Sequence, residues 1–337
     1  MRFSVIIPLY NKAPYVRKAL DSICAQTYRD FECIIVDDGS TDNSLAVVKE
    51  CIEQFRIYNF KFQILSQKNV GVAAARNNGV VKSKGEYVCF LDADDWWEKD
   101  MLEEMDKLIQ EYPDAGLYAT NYIYYKPGKT HVALKIERGY MNYPEAYLQG
   151  EMPVWTGAAC MPRKVFDEMG GFPIGIKLGE DFLLWAKTAL QYKVAFCEKA
   201  LAYYNNDVPA SLRATRNLHA PEYHMLFRLD EIEKTINLHF ETLNPKSVAW
   251  HALLDKLRVS GLLDYWLSDE YHAAAAVELE KVDWSKQQKS AKKQYEKPIW
   301  VLKMKRRFMQ IGSYCKQKFI KVIAKSTLDS RLLTLGS

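Results

Sequence analysis

The sequence "EYVCFLDADD", residues 86–95, runs through a short apolar stretch and ends in three aspartates within four positions. A continuous apolar run of this length is typical of a strand that is buried on both faces of a sheet. The acidic side chains Asp92, Asp94 and Asp95 then follow where the chain leaves the core. The stretch therefore predicts a buried strand that delivers carboxylates to one edge of a sheet.

The sequence before this strand alternates between apolar runs and segments with helical spacing. Further strands are predicted at "FSVIIPLY", "FECIIVDD" and "KFQILSQ", each followed by apolar residues at three- and four-residue steps. Strands that alternate with helices form a parallel sheet with helices on both faces. Because ligands of such sheets bind outside the carboxyl ends of the strands, we expect the polar residues there to meet at one edge. These residues lie at 8–11, 37–42, 66–71 and 92–95.

The composition is that of an ordinary globular protein. Of 337 residues, 48% are hydrophobic and 26% are charged. The seven cysteines are scattered without C-x-x-C spacing, which indicates a reducing compartment rather than a disulfide framework or a zinc site. No window approaches the roughly 20 apolar residues of a spanning helix, and the N-terminal apolar stretch is too short for a signal peptide. We expect a cytoplasmic protein.

Six motifs together resemble the family 2 glycosyltransferases of the GT-A fold. They are "SVIIPLYN", "IIVDDGSTD", "GVAAARNNG", "FLDADDWW", "GGFP" and "GEDFLLWAK", in the order and spacing of that family over about residues 1–215. The resemblance implies an α/β GT-A fold, a mostly parallel open sheet flanked by helices. It implies a Rossmann-like nucleotide half at 1–100 and an acceptor half at 101–215. It also implies an inverting enzyme that takes a sugar from a nucleotide sugar.

The aspartates after the fourth strand have different expected roles. Hard cations such as Mg²⁺ and Mn²⁺ are usually held by one or two carboxylates together with substrate phosphates. Alternation along an extended strand end puts Asp92 and Asp94 on one side, and leaves Asp95 to cap the following helix, which begins at the two tryptophans. By resemblance to the family's D-x-D motif, Asp94 would ligate the metal directly. Asp92 would face the ribose or reach the metal through water.

Besides Asp92, four residues are predicted to contact the nucleotide, namely Pro8, Tyr10, Asp38 and Arg76. Turn chemistry explains the Gly-Ser-Thr-Asp after the second strand, but it does not explain the two aspartates in front of it. In the family the second of these recognises the base, so the resemblance gives that role to Asp38. Tyr10, just beyond Pro8, lies at the neighbouring strand exit, where its ring could stack on the base. Arg76 suits either the nucleotide's phosphate or base edge, or a clamp on the site's aspartates.

The acceptor half is predicted to supply a base, because a hydroxyl is a poor nucleophile until its proton is removed. Glu180 and Asp181 begin a segment with helical spacing, where acids are also favoured by the helix dipole alone. The family's E-D motif implies that Asp181 is the general base and that Glu180 orients the acceptor or holds the loop. The segment around Trp155 and Gly157 resembles the acceptor side of the family, with Trp155 either a platform for a sugar or part of the core.

Beyond residue 215 the family pattern ends. Residues 216–284 are predicted to form a helical extension. Residues 285–337 carry 14 lysine and arginine against two acidic side chains, whereas residues 1–284 carry 32 basic and 40 acidic ones. Apolar residues at helical steps over 295–325 predict a basic amphipathic helix, which either binds an anionic membrane surface at the inner face of the cell membrane or packs on the protein. The acidic body argues against binding to nucleic acid.

The predicted function is non-processive transfer of a sugar to a hydroxyl of a glycan or lipid-linked acceptor in cell-surface polysaccharide synthesis. The donor is a nucleotide sugar, a UDP-sugar by family habit, and the cation is Mn²⁺ or Mg²⁺. Two alternatives stay open, a nucleotidyltransferase that makes sugar nucleotides and a non-catalytic protein that binds nucleotide sugars or glycans on the same fold. The loop after the first strand lacks the Gly-rich basic sequence that a triphosphate or a dinucleotide would need.

Overall fold

The computed structural model describes residues 1–55, 60–150, 152–209, 218–240, 245–297, 299 and 302–303. The chain divides into two compact units, Met1–Leu257 and Arg258–Ser337. The strands of the described residues all belong to one sheet in the first unit. The boundaries predicted at residues 215 and 284 stay predictions.

The first half of the sheet is parallel. Its strands are β1 (Phe3–Leu9), β2 (Phe31–Asp37), β3 (Lys61–Ser66) and β4 (Tyr87–Phe90), in the order β3-β2-β1-β4. β1 and β2 are buried at every position, as their unbroken apolar sequences predict, whereas the edge strand β3 is partly exposed throughout. The connecting helices are α1 (Val16–Cys24), α2 (Ser44–Phe55) and α3 (Val72–Lys82). The predicted alternation of strands and helices is confirmed.

Helix α3 lies very close to β1, because its inward-facing residues are small. Ala73 and Ala75 are buried, and a Cβ added to Gly79 would lie 2.4 Å from Cγ2 of Ile6 in β1. Arg76 lies on the same helix and is also buried. The close packing of α3 therefore holds a guanidinium group beside the sheet, near the point where the strands end.

The second half of the sheet mixes strand directions. β9 (Ala159–Pro162) pairs antiparallel with both β4 and β6 (Ala115–Tyr125), and β10 (Lys193–Asn205) runs parallel to β6. β5 (Trp96–Trp97) pairs antiparallel with β10 and closes the order β3-β2-β1-β4-β9-β6-β10-β5. The remaining elements are β7 (His131–Val132), β8 (Gly139–Met141), α4 (Met101–Glu111), α5 (Tyr143–Leu148), α6 (Arg163–Met169) and α7 (Glu180–Gln191).

The residues after β4 correct one prediction. Asp95 does not cap a helix that begins at the tryptophans, because Trp96 and Trp97 form β5 and the helix begins only with α4. One carboxylate oxygen of Asp95 accepts a hydrogen bond from the backbone N–H of Asn205 at 2.7 Å. The strand is favoured because it buries both indoles, and Trp96 stacks on Tyr203 with the ring centroids 4.9 Å apart.

Helices dominate after the sheet. They are α8 (Leu229–His239), which packs on α7, and then α9 (Pro245–Gly261), α10 (Leu263–Trp266), α11 (His272–Glu280) and α12 (Lys289–Glu296). In the part of the chain that the structure describes, no helix is long and apolar enough to cross a membrane. Most of the amphipathic helix predicted over 295–325 lies outside the described residues.

Candidate active site

A cleft of about 1230 Å³ opens at the carboxyl ends of the strands. It exceeds the usual range of about 300–1,000 Å³ for a site that binds one small molecule. The residues that follow β1, β2 and β4 line it together with the first turns of α3 and α7. The predicted site residues among them are Pro8, Tyr10, Asp38, Arg76, Asp92, Asp94, Trp155, Glu180 and Asp181.

Asp38, at the end of β2, is held in place by three N–H groups. Its Oδ1 accepts hydrogen bonds from Nε2 of Gln67 at 2.8 Å and from the backbone N–H of Val70 at 3.0 Å. Its Oδ2 accepts one from the backbone N–H of Gly71 at 2.9 Å. These bonds tie the end of β2 to the loop before α3 and fix the orientation of the buried carboxylate at the wall of the cleft.

The loop after β1 is held just as firmly. Pro8 is buried within the strand, while Tyr10 is 45% exposed at the cleft. Asn11 takes the left-handed conformation with φ of 51°, which Asn tolerates better than most residues. Its Oδ1 accepts a hydrogen bond from the backbone N–H of Thr41 at 2.8 Å, so the loops after β1 and β2 are bound to each other.

Lys12, which no sequence motif marked, reaches the second aspartate of the D-x-D motif. Its Nζ lies 2.6 Å from Oδ2 of Asp94. Burial raises the pKa of Asp94, although the charge of Lys12 opposes that rise. The ammonium group of Lys12 therefore offsets part of the free energy that is required to bury the charge of Asp94. The signal available in the sequence was position, because Lys12 is the first basic residue after β1, at the edge of the sheet where ligands bind.

The aspartates after β4 lie in a turn and not in an extended strand. The backbone N–H of Asp95 donates a hydrogen bond to the carbonyl of Asp92 at 3.0 Å. Asp92 and Asp94 both line the cleft, as predicted. The reason given for this placement was wrong, because a turn, and not alternation along a strand, brings the two carboxylates to the same cleft.

Arg76 binds carboxylates from both halves of the sheet. Its Nη2 lies 2.7 Å from Oδ1 of Asp92, and its Nη1 lies 2.8 Å from Oε1 of Glu180. Burial lowers the pKa of Arg76, but the charges of Asp92 and Glu180 outweigh this effect and raise it above its ordinary value. Of the two uses that the sequence left open, these contacts correspond to the clamp. A contact between Arg76 and a nucleotide stays a prediction.

Helix α7 brings two acids to the cleft. Burial and the neighbouring charge of Asp181 raise the pKa of Glu180 to about 7, against the opposing effect of Arg76. Asp181 is oriented by two hydrogen bonds, from Oγ1 of Thr156 at 2.8 Å and from the backbone N–H of Phe182 at 2.8 Å. Glu180 is thus engaged with a buried guanidinium, whereas Asp181 is a half-buried, fixed carboxylate on the cleft wall.

Trp155 and Gly157 have different places. Trp155 is buried between Tyr122 and Tyr204, with ring centroids 5.1 and 5.3 Å away, and it contributes to the wall of the cleft. Gly157 lies against the ring of Trp155, since a Cβ at this position would be 2.3 Å from Cη2 of the indole. Its carbonyl accepts a hydrogen bond from Nε1 of Trp97 at 2.6 Å. Gly157 therefore makes room for the indole and does not itself line the cleft.

The segment around residue 224 also lines the cleft, although it lies beyond the family motifs. The backbone N–H of Met225 donates to the carbonyl of Leu178 at 3.0 Å, which joins this segment to the residues just before α7. Nδ1 of His224 accepts a hydrogen bond from the backbone N–H of Leu226 at 3.1 Å. Burial lowers the pKa of His224 to about 4, so the ring is neutral at physiological pH. Sequence spacing carries no signal for this contribution.

Asp92 and Asp94 suit a hard divalent cation whose coordination is completed by a substrate. Across the described ranges, no group of three or more His, Cys, Asp or Glu side chains could hold a metal on its own. Mg²⁺ and Mn²⁺ are often held by one or two carboxylates plus substrate phosphates, which is what the two aspartates in this cleft offer.

Comparison with known proteins agrees with this geometry. Residues 4–170 match the family described as "Glycosyl transferase family 2". The chain is 35% identical over 217 residues to glycosyltransferase GlyA of Streptococcus pneumoniae serotype 4, a match that covers 60% of this chain and 30% of GlyA. It is 40% identical over 115 residues to the amylovoran biosynthesis glycosyltransferase AmsB of Erwinia amylovora, covering 34% of this chain and 38% of AmsB. The chain spans about a third of the length of the curated relatives it matches.

The fold has close counterparts among solved structures. The crystal structure of S. aureus TarS 1–349 in complex with UDP-GlcNAc has a TM-score of 0.70 and 20% sequence identity, over 83% of this chain and 80% of that one. At this identity the likeness shows the fold, and the GT-A fold predicted from the sequence is confirmed. From the match over residues 4–170, this part of the chain belongs to glycosyl transferase family 2.

Proposed function

We propose that the chain transfers a sugar from a nucleotide sugar, a UDP-sugar, to a hydroxyl of a glycan or lipid-linked acceptor in polysaccharide synthesis. One observation carries this proposal. Arg76 binds both Asp92, in the nucleotide half, and Glu180, which is the neighbour of Asp181, so the two halves meet in one cleft. The names of the relatives support it, since AmsB is described by amylovoran biosynthesis and TarS was solved with UDP-GlcNAc.

The nucleotide half would bind the donor. Asp38 would accept a hydrogen bond from the base, and Tyr10, exposed beside Pro8, would cover the base with its ring. Asp92 and Asp94 would hold Mg²⁺ or Mn²⁺ against the diphosphate of the donor. Such a cation, when bound, neutralises negative charge that develops on the leaving diphosphate.

The acceptor half would activate the hydroxyl. Asp181, oriented by Thr156, would take the proton from the acceptor hydroxyl while its oxygen bonds to the anomeric carbon. The bond from that carbon to the diphosphate oxygen breaks in the same step, and its electron pair leaves with the diphosphate. A single displacement of this kind inverts the anomeric configuration. Glu180 would act through Arg76, holding the two halves of the site in register.

The aromatic side of the cleft would receive the sugar rings. Trp155 and Tyr122 are buried and support the half-buried ring of Tyr204, which lines the cleft and offers the surface for a sugar. Stacking of a sugar on such rings combines apolar contact with hydrogen bonding. Gly157 would contribute only indirectly, through the space that it leaves for Trp155.

Calorimetric titration of UDP, GDP and dTDP, each with and without Mn²⁺, tests the donor part of the proposal. We expect UDP to bind in a metal-dependent manner and Asp94→Ala to weaken that binding by about tenfold or more, because a direct ligand is lost. Asp114→Ala, which removes an exposed acid away from the cleft, is the matched control and should leave binding unchanged. Absence of binding for all three nucleotides would contradict the proposal.

A further inference from the structure

We propose that Lys12 binds the diphosphate of the donor and that, in the absence of donor, it occupies the metal carboxylate Asp94. The cation and the nucleotide would then bind together and oppose each other's departure. This inference rests on the proposed function and goes beyond it, because it assigns a further binding residue and a coupling between the two ligands.

The first observation is the ion pair itself. Nζ of Lys12 lies 2.6 Å from Oδ2 of Asp94, and the two side chains are 16% and 17% exposed. Divalent cations of this class lie about 2.0–2.2 Å from their carboxylate oxygens. A cation on Asp94 would therefore be only a few ångströms from the ammonium group, where like charges repel strongly in a partly buried site. The cation and the ammonium group compete for the same carboxylate.

The second observation is that the backbone of Lys12 is anchored while its side chain lines the cleft. Its backbone N–H donates to Oγ of Ser44 at 2.7 Å, and the adjacent Asn11 is bonded to Thr41. The side chain has a flexible four-carbon stem that carries a compact charge, as phosphate-binding lysines have. Displacement from Asp94 would move the ammonium group by side-chain rotation, with the loop after β1 left in place.

The third observation is that the other basic side chains lining the cleft contact other groups. Arg76 is bound to Asp92 and Glu180. Lys177 lies over the ring of Tyr223, with Nζ 4.5 Å from the ring centroid. Among the lysines and arginines that line the cleft within the described residues, Lys12 is the one that contacts Asp94. Lys12 is therefore the basic residue best placed to move from Asp94 to a diphosphate, when that diphosphate brings a metal to Asp94.

The charges of Lys12, Asp94 and the two ligands determine how each ligand affects binding of the other. Without donor, Lys12 and Asp94 neutralise each other, so a divalent cation alone competes with the ammonium group for this carboxylate. A diphosphate attracts the ammonium group away from Asp94, and the cation then takes the carboxylate. Coupling of this kind is reciprocal, so UDP raises the affinity for the metal by the same factor by which the metal raises the affinity for UDP.

The test measures binding of Mn²⁺ alone, of UDP with Mn²⁺ and of UMP with Mn²⁺ to the full chain, by calorimetry and by the paramagnetic resonance signal of free Mn²⁺. For Lys12→Met we expect about tenfold tighter binding of Mn²⁺ alone, about tenfold weaker binding of UDP and a smaller change for UMP, since a diphosphate interaction is lost and a competitor is removed. Lys177→Met, which removes a cation from the same cleft, is the control and should leave the affinity for Mn²⁺ alone unchanged.

Two results separate failure of this inference from failure of the proposed function. If UDP binds with Mn²⁺ but Lys12→Met changes neither the Mn²⁺ nor the UDP affinity, the inference is wrong and the function stands. If wild type binds no nucleotide, both are wrong. Should Lys12→Met not fold, as judged by circular dichroism, the wild type still decides, because an equal Mn²⁺ affinity with and without saturating UDP overturns the coupling.

Discussion

At the scale of single residues, Asp181 is the carboxylate whose removal tests the proposed chemistry most directly. Asp181→Asn keeps the hydrogen bond to Thr156 possible but removes the proton acceptor, and a general base contributes about 10²–10⁴-fold to rate. We expect kcat to fall by about that factor while UDP affinity stays within twofold. A rate loss equal to that of Thr156→Val would instead indicate that Asp181 only positions its surroundings.

Glu180 gives a prediction about pH. Burial and the charge of Asp181 raise its pKa to about 7 in the folded chain, compared with about 4.3 in an unfolded one. The folded state therefore holds an extra proton between these values, and the contribution of Glu180 to stability is full below pH 4 and is lost as pH rises towards 7. We expect Glu180→Gln to lose this dependence. As pH rises, its free energy of unfolding should therefore increase relative to that of wild type by up to about 1.4 kcal/mol per pH unit.

Urea unfolding of wild type and Glu180→Gln at pH 5, 6, 7 and 8 measures this difference. Glu168→Gln, which replaces an exposed acid in α6, is the control and should not show this increase. A difference between Glu180→Gln and wild type that does not change with pH would mean that Glu180 is ionised throughout and that its pairing with Arg76 dominates over burial.

At the scale of elements, the contact between α3 and β1 positions Arg76 and can be tested apart from the chemistry. Gly79→Ala gains about 1 kcal/mol of helix propensity, but its Cβ would lie 2.4 Å from Ile6, and overpacking typically costs about 1–3 kcal/mol. We expect a net loss of stability together with a lower rate, because a shift of α3 moves Arg76. Val81→Ala, on the exposed face of the same helix, should leave the rate unchanged.

The measurement is the urea midpoint together with the rate of sugar transfer for both variants. A stable Gly79→Ala protein with an unchanged rate would contradict the argument that the close contact between α3 and β1 positions Arg76. Full stability with a lower rate would indicate that a small shift of α3 disturbs the ion pairs of Arg76 without a loss of packing.

At the scale of the whole molecule, the basic composition of residues 285–337 predicts association with anionic membranes. Each Lys or Arg near such a surface contributes about 1 kcal/mol, and the effect is screened by salt. We expect the full chain to sediment with phosphatidylglycerol vesicles and to be released as NaCl is raised, and not to sediment with phosphatidylcholine vesicles. Equal binding to both vesicle types would indicate apolar contacts. No binding to either would contradict the prediction and favour the alternative, in which the tail packs on the protein.

The sequence by itself determined the order of strands and helices in the nucleotide half and the edge at which the site lies. Both follow from local information: a buried parallel strand needs an unbroken apolar run, and polar residues at its carboxyl end must leave the core. Asp38, Asp92 and Asp94 were expected at this edge for that reason, whereas Asp181 was chosen from the family's E-D motif at the start of a helix, and the roles of all four stay predictions. The prediction that Asp95 caps a helix was wrong, because pairing of β5 with the distant β10 outweighs local capping.

Only the tertiary structure decided which of these side chains are partners. Lys12 and Asp94 lie 82 positions apart in the chain, and Arg76 and Glu180 lie 104 apart. Hydrophobic spacing extends over one helix or strand, so it carries no information on contacts made across the sheet. Such pairs arise when packing buries charges that need an opposite charge nearby, and that need exists only after the chain has folded.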